Sequence, residues 1–111
     1  IVNISSDAAK IGNPGQSNYV ASKSAIEGLT RTIANEVASR GITVNCVAPG
    51  FIKTEILDSV DKKRLSMMGE KIPLGRIGNV DEIASAVYYL SSEESSYITG
   101  QVLHVNGGLT M

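Results

Sequence analysis

Residues 16–50, QSNYVASKSAIEGLTRTIANEVASRGITVNCVAPG, pass from one periodicity to another. In the first part Ile26, Leu29, Ile33 and Val37 recur three or four positions apart, which lines one face of a helix, and Gly41 supplies a stop. The spacing predicts a helix from about Gln16 to Ser39. Ala21, Ala25, Gly28 and Thr32 form a second stripe of small residues, suited to close approach by another helix. The pattern then changes. Ile42 to Val47 (ITVNCV) is a short apolar run with β-branched residues, closed by Pro49 and Gly50, and reads as a strand ending in a sharp turn.

Working outward, Ile1 to Ser5 (IVNIS) reads as a buried strand, and Ser6 to Gly15 as a polar loop rich in turn formers. An internal strand with nothing before it suggests a chain that starts in mid-fold. Downstream, residues 54–75 hold charges, Met67, Met68, Pro73 and two glycines, a composition expected of broken helix and loop that serves as a movable cover. Asn79 starts another helix with Glu82 in capping-box spacing, and Ile83, Ala84, Val87 and Leu90 are its expected buried stripe. Gly100 precedes a final strand, Gln101 to Val105, which Asn106, Gly107 and Gly108 end. The resulting βαβαβ string predicts an α/β fold with a parallel sheet and right-handed crossovers.

Composition narrows the function. The 111 residues, 42% hydrophobic, suit one small domain, and ten basic against eleven acidic residues leave no block of like charge to attract a phosphate backbone or an anionic bilayer. Nucleic acid and membrane are therefore not expected partners. No apolar run approaches the roughly 20 residues that span a bilayer, and no targeting segment is recognised, so a cytoplasmic location is expected. Cys46, the single cysteine, lies inside an apolar run and reads as a small buried filler. His104, the single histidine, stands in LHV on the closing strand and reads as structural or interfacial. Arg40 suits the helix C-terminus, with docking of an acidic partner as the alternative. Met67 and Met68 either line an acyl-chain site or fill gaps. No metal site is expected.

The chemistry begins with Tyr19 and Lys23, four residues apart and so on one helical face. A phenol with a pKa near 10 relays protons poorly at neutral pH unless a positive charge favours its phenolate, and Lys23 brings that charge. Such a phenol can protonate a carbonyl oxygen as hydride reaches the carbon. Ser5 and Ser6 end the first strand, where parallel α/β folds place their sites, and a hydroxyl there can hydrogen-bond the same oxygen.

The stretch IVNISS, the dipeptide Asn18-Tyr19 with Lys23, GITVNCVAPGFIKTE and YITGQVLHVNGG together resemble the C-terminal half of the short-chain dehydrogenase/reductase family, over essentially the whole chain. The resemblance implies that residues 1–111 are the C-terminal part of one domain, a portion of a Rossmann-type doubly wound parallel sheet without its N-terminal cofactor half. By position it implies Ser6 as the catalytic serine, Tyr19 as the acid/base and Lys23 as its lysine. Ser6 and Tyr19 then touch the substrate, and Tyr19 and Lys23 also touch the cofactor. It further implies that Pro49, Gly50, Ile52 and Thr54 run along the nicotinamide.

Within the family, NPGQSNY, EVASRGITVN, VAPGFIKTE and YITGQVLHVNGG are similar to the β-ketoacyl-(acyl-carrier-protein) reductases. That likeness implies NADP(H) as cofactor, a 3-oxoacyl group on acyl carrier protein as substrate, and a homotetramer when full length. Enoyl reductases of the family separate tyrosine from lysine by a longer interval. Two alternatives are another family member acting on a small hydroxy or keto substrate, and a non-catalytic remnant that associates with a full-length relative. The glycine-rich phosphate loop and the residues that separate NADP from NAD would precede Ile1, so the 111 residues alone are expected to be inactive.

Overall fold

The computed structural model describes residues 1–55 and 60–111. Strand β1 (Val2–Ile4) leads into a short helix α1 (Ala8–Ile11), the long helix α2 (Ser17–Val37) and a 3-10 turn (Ala38–Arg40). Strand β2 (Asn45–Pro49) and the two-residue strand β3 (Ile52–Lys53) follow, then helix α3 (Lys62–Glu70), strand β4 (Gly78–Asn79), helix α4 (Val80–Ser91), a 3-10 turn (Glu93–Ser95) and strand β5 (Val102–Val105). The main sheet has the order β1-β2-β5 and is parallel throughout, and β3 and β4 form a second parallel pair. The fold is α/β with parallel strands, as the periodicity predicts.

The sheet is organised around β2, which pairs Val2 with Asn45 on one side and Cys46 with Val102 on the other. Residues Val44, Cys46, Val47 and Ala48 are completely buried, and Ala34, Ile72 and Leu90 nearly so. A strand with neighbours on both edges and helices packed on it reads as an unbroken apolar run, which is the form of ITVNCVAP. Asn45 is the polar exception. Its Nδ2 donates to the Ile98 carbonyl at 2.7 Å and its Oδ1 accepts from the Gln101 N–H at 3.1 Å, so a buried amide fixes where the chain enters β5.

Three boundaries differ from the sequence reading. The second strand was expected at Ile42–Val47 and lies at Asn45–Pro49, because Val44 donates its N–H to the Thr99 hydroxyl and Thr43 accepts from the Ile1 amino group, outside any ladder. Pro49 tolerates the last strand position, where its carbonyl still accepts the Asp7 N–H at 2.9 Å. The expected loop from Ser6 to Gly15 contains α1, and of the segment 54–75 the structure forms α3, opened by the Asp61 carboxylate accepting from the Lys63 N–H. The part of that expectation on residues 56–59 lies outside the described residues.

The 3-10 turn that continues α2 stops where Gly41 adopts φ 70°, a left-handed conformation that glycine takes without a Cβ penalty. The inward face of α2 is not the one the large residues suggest. Thr30 and Ala34 are the buried residues, whereas Leu29 is 53% exposed. Thr30 is accommodated because its hydroxyl donates to the Ile26 carbonyl and accepts from Asn3 Nδ2 of β1 at 2.9 Å. Of the small stripe, Ala21, Ala25 and Thr32 are exposed and Gly28 half-buried. Helix α4 carries the expected capping box between Asn79 and Glu82; Leu90 is buried, Ile83 and Val87 are half-buried, and Ala84 is exposed.

Candidate active site

The C-terminal ends of β1 and β2, the first turns of α2 and the start of α4 enclose a cavity of about 530 Å³. Ser6, Tyr19 and Lys23 line one side of it. Pro49, Gly50, Ile52 and Thr54 complete it together with Val80, Ile83 and Ala84 of α4. All seven residues that sequence reading selects thus border one space. The strand termini explain this: parallel strands deliver their following loops to the same edge of the sheet, where crevices form.

Lys23 Nζ donates to the Ile4 carbonyl at 3.0 Å and lies 5.8 Å from the centre of the Tyr19 ring. One of its three N–H donors is used in fixing the side chain to the end of β1, and two remain for other acceptors. Tyr19 is 40% exposed, so its ring reaches both the cavity and solvent. Ser6 Oγ accepts from the Ala8 N–H at 3.2 Å. An accepting hydroxyl keeps its own hydrogen free to donate.

Ser5 has a different part from Ser6. It is 2% exposed, and its hydroxyl lies 2.8 Å from Glu27 Oε1 and 3.2 Å from the Lys23 carbonyl, which pins the end of β1 to α2. Glu27 follows Lys23 by one helical turn, and that spacing in the sequence is the signal by which it was findable. Behind it sits Cys46, whose buried thiol is pushed above its ordinary pKa by desolvation. A thiol so placed is a packing group and a poor nucleophile, in line with the filler reading.

Gly50 is held by a close approach to the C-terminal segment. A Cβ on it would come within 2.7 Å of Asn106 Cβ and 2.9 Å of Asn106 Cα, so no other residue fits without moving backbone. Beside a neighbouring cavity, Arg76 makes a bidentate pair with Glu82 at 2.6 and 2.8 Å, and Glu82 also accepts the Asn79 N–H. The hydrogen bond from Arg76, then the one from Asn79, lower the Glu82 carboxyl to a pKa of about 2. Among the described residues no group of three or more His, Cys, Asp or Glu is arranged to hold a metal ion, and no helix is long and apolar enough to cross a membrane.

The donors of the cavity suit a nicotinamide riboside. Ile4, Pro49, Ile52 and Ile83 give apolar walls for a flat ring, the spare Lys23 donors suit ribose hydroxyls, and the Thr54 hydroxyl can pair with a carboxamide. Residues 1–110 match the sequence profile of a family described as enoyl-(acyl carrier protein) reductase. Across all 111 residues the chain is 52% identical to a 3-oxoacyl-(acyl-carrier-protein) reductase of Rickettsia felis, of which it covers 46%. It is 50% identical, again along its whole length, to nodulation protein G of Rhizobium meliloti and to a 3-oxoacyl-(acyl-carrier-protein) reductase of Staphylococcus aureus, covering 45% of the former. The chain spans about half the length of the curated relatives it matches.

Proposed function

The chain belongs to the short-chain dehydrogenase/reductase family, and from that premise we propose that it supplies the proton-donating half of a 3-oxoacyl-(acyl-carrier-protein) reductase. The observation that carries the reading is the single cavity shared by Ser6, Tyr19 and Lys23. In this role residues 1–111 are the C-terminal part of one domain. NADPH is the reductant, the substrate is a 3-oxoacyl thioester of acyl carrier protein in fatty-acid synthesis, and the full-length protein is a cytoplasmic homotetramer.

When bound, the nicotinamide supplies hydride to the 3-oxo carbon. The residues of this chain handle the oxygen. Ser6 donates its free hydroxyl hydrogen to the carbonyl oxygen and orients it, a contact that strengthens as negative charge develops there. Tyr19 transfers its phenolic proton to the same oxygen, so that the carbonyl becomes a hydroxyl and the tyrosine a phenolate. Lys23, 5.8 Å from the ring, stabilises that phenolate through its positive charge. Its fixed bond to the Ile4 carbonyl keeps the ammonium from swinging into solvent.

Reduction of a ketone accounts for these groups better than reduction of a carbon–carbon double bond, because donors converge on one oxygen and Tyr19 stands one helical turn from Lys23. The experiment is to supply the full-length protein with NADPH and an acetoacetyl thioester. Oxidation of NADPH with formation of the 3-hydroxy product is expected, and no turnover would defeat the proposal. Residues 1–111 expressed alone are expected to neither bind NADPH tightly nor turn over, since the pyrophosphate needs the glycine-rich turn and helix N-terminus of the other half.

A further inference from the structure

The residue after Ser6 is Asp7, and it is 3% exposed. Its carboxylate gathers side chains from the far end of the chain. His104 Nδ1 lies 2.6 Å from Oδ1, Asn106 Nδ2 lies 2.6 Å from Oδ2, and the Thr110 hydroxyl lies 3.2 Å from Oδ2. Facing an oxygen that only accepts, His104 Nδ1 is the nitrogen that carries hydrogen. The Asp7 N–H donates to the Pro49 carbonyl at 2.9 Å, and the Gly50 N–H donates to the Val105 carbonyl at 3.0 Å. Asp7 therefore ties the turn that presents Ser6 to residues 104–110 through its carboxylate and to the Pro49 carbonyl through its backbone.

We propose that Asp7 is a positioning residue for Ser6, held by His104 and Asn106, so that the last strand and the segment after it lock the serine-bearing turn in place. The inference rests on the reductase reading and deepens it: Asp7 and His104 act through Ser6 and touch no substrate. Hydrogen bonds to a carboxylate are about twice as strong as neutral ones, and three converge here from the last strand and the segment after it. The Ser6 hydroxyl by contrast is held by one bond of 3.2 Å, from the Ala8 N–H in the same turn. Without the lock the turn keeps its backbone bonds to Val47 and Pro49 and loses its side-chain anchor, and a displacement of about 1 Å in a reacting group can cost a hundredfold in rate.

The test uses Asp7→Ala, Asp7→Asn, His104→Ala and His104→Asn in the full-length protein, with two readouts. Asparagine can place Nδ2 near the position of His104 Nδ1 and so restores the donor that alanine removes. Backbone amide exchange at Ile11 and Gly12, which close α1, is expected to accelerate about tenfold in Asp7→Ala and His104→Ala and to return close to the parent value in His104→Asn. With acetoacetyl thioester and NADPH, kcat of Asp7→Ala is expected to fall on the order of tenfold or more with KM changed by less than about threefold, and Asp7→Asn to lie between. Unchanged exchange in both alanine variants, or a parental kcat in either, overturns the proposal. If Asp7→Ala fails to fold, the contrast between His104→Ala and His104→Asn decides alone. A parent protein without turnover defeats the reductase reading, and amide exchange then still decides whether Asp7 and His104 hold the turn.

Discussion

The two walls of the cavity are built differently. The wall of β1 and α2 carries the reactive groups and is pinned at several points, by Lys23 on the Ile4 carbonyl, Ser5 on Glu27 and Asn3 on Thr30. The opposite wall, Ile52 and Thr54 with the start of α4, hangs on a pair of two-residue strands and on the exposed Arg76–Glu82 pair. The groups proposed to carry the chemistry, which tolerates little displacement, thus stand on the over-determined side. The difference is one of anchoring: both walls begin from the same edge of parallel sheet.

The sharpest way to break this contrast is at Tyr19. Tyr19→Phe in the full-length protein is expected to reduce kcat by a hundredfold or more, the upper part of the usual range for losing a general acid, and parental turnover would remove Tyr19 from the mechanism. Lys23→Met should weaken NADPH binding by about tenfold and shift the pH profile of turnover, since it loses both the ribose donors and the charge beside the phenol. If binding and pH profile both stay put, Lys23 is only a strut for Ile4. On stability, Val47→Ala at a fully buried position under the pinned wall should cost about 2 kcal/mol, whereas Met67→Ala, 54% exposed on α3, should stay within about 0.5 kcal/mol. Equal losses in denaturant unfolding would contradict the difference in burial between the two positions.

The smallest effect concerns Glu82. Its folded-state pKa of about 2 lies below the ordinary 4.5, so its contribution is complete above about pH 4.5 and is lost as pH falls through about 2. Glu82→Gln should therefore flatten the acid side of the stability profile between those values. A variant with the parental slope there would show that Arg76 does not help to hold the second wall.

Much of this was legible in the sequence, and unevenly. The order of strands and helices follows from the change of period at Gly41, and the capping box at Asn79 and Glu82 announced α4. Tyr19 and Lys23 were readable as a pair because their spacing is local, whereas Ser6 was separated from Ser5 only by the family resemblance; the structure brings all three to one cavity. The limits of β2 were not, because Thr43 and Val44 are satisfied by Ile1 and Thr99, partners distant in sequence. The inward face of α2 was misjudged for the same kind of reason. Thr30 is buried with its hydroxyl shared between the Ile26 carbonyl and Asn3 of β1, and nothing in the helix itself signals the second partner. Asp7, His104 and Asn106 belong together through tertiary packing alone.

The central place of β2 also sets the order in which the molecule can assemble. Its edges are filled by a strand from the start of the chain and by one from near residue 105, so neither pairing is local and each must close a long loop before any ladder energy is gained. During synthesis β1, α2 and β2 leave the ribosome before β5, and β2 then waits with one edge bare until β5 arrives. In that interval the most buried strand of the main sheet is a free template for another chain. A newly made protein of this design is therefore most in need of chaperone cover between the emergence of Pro49 and that of Val105.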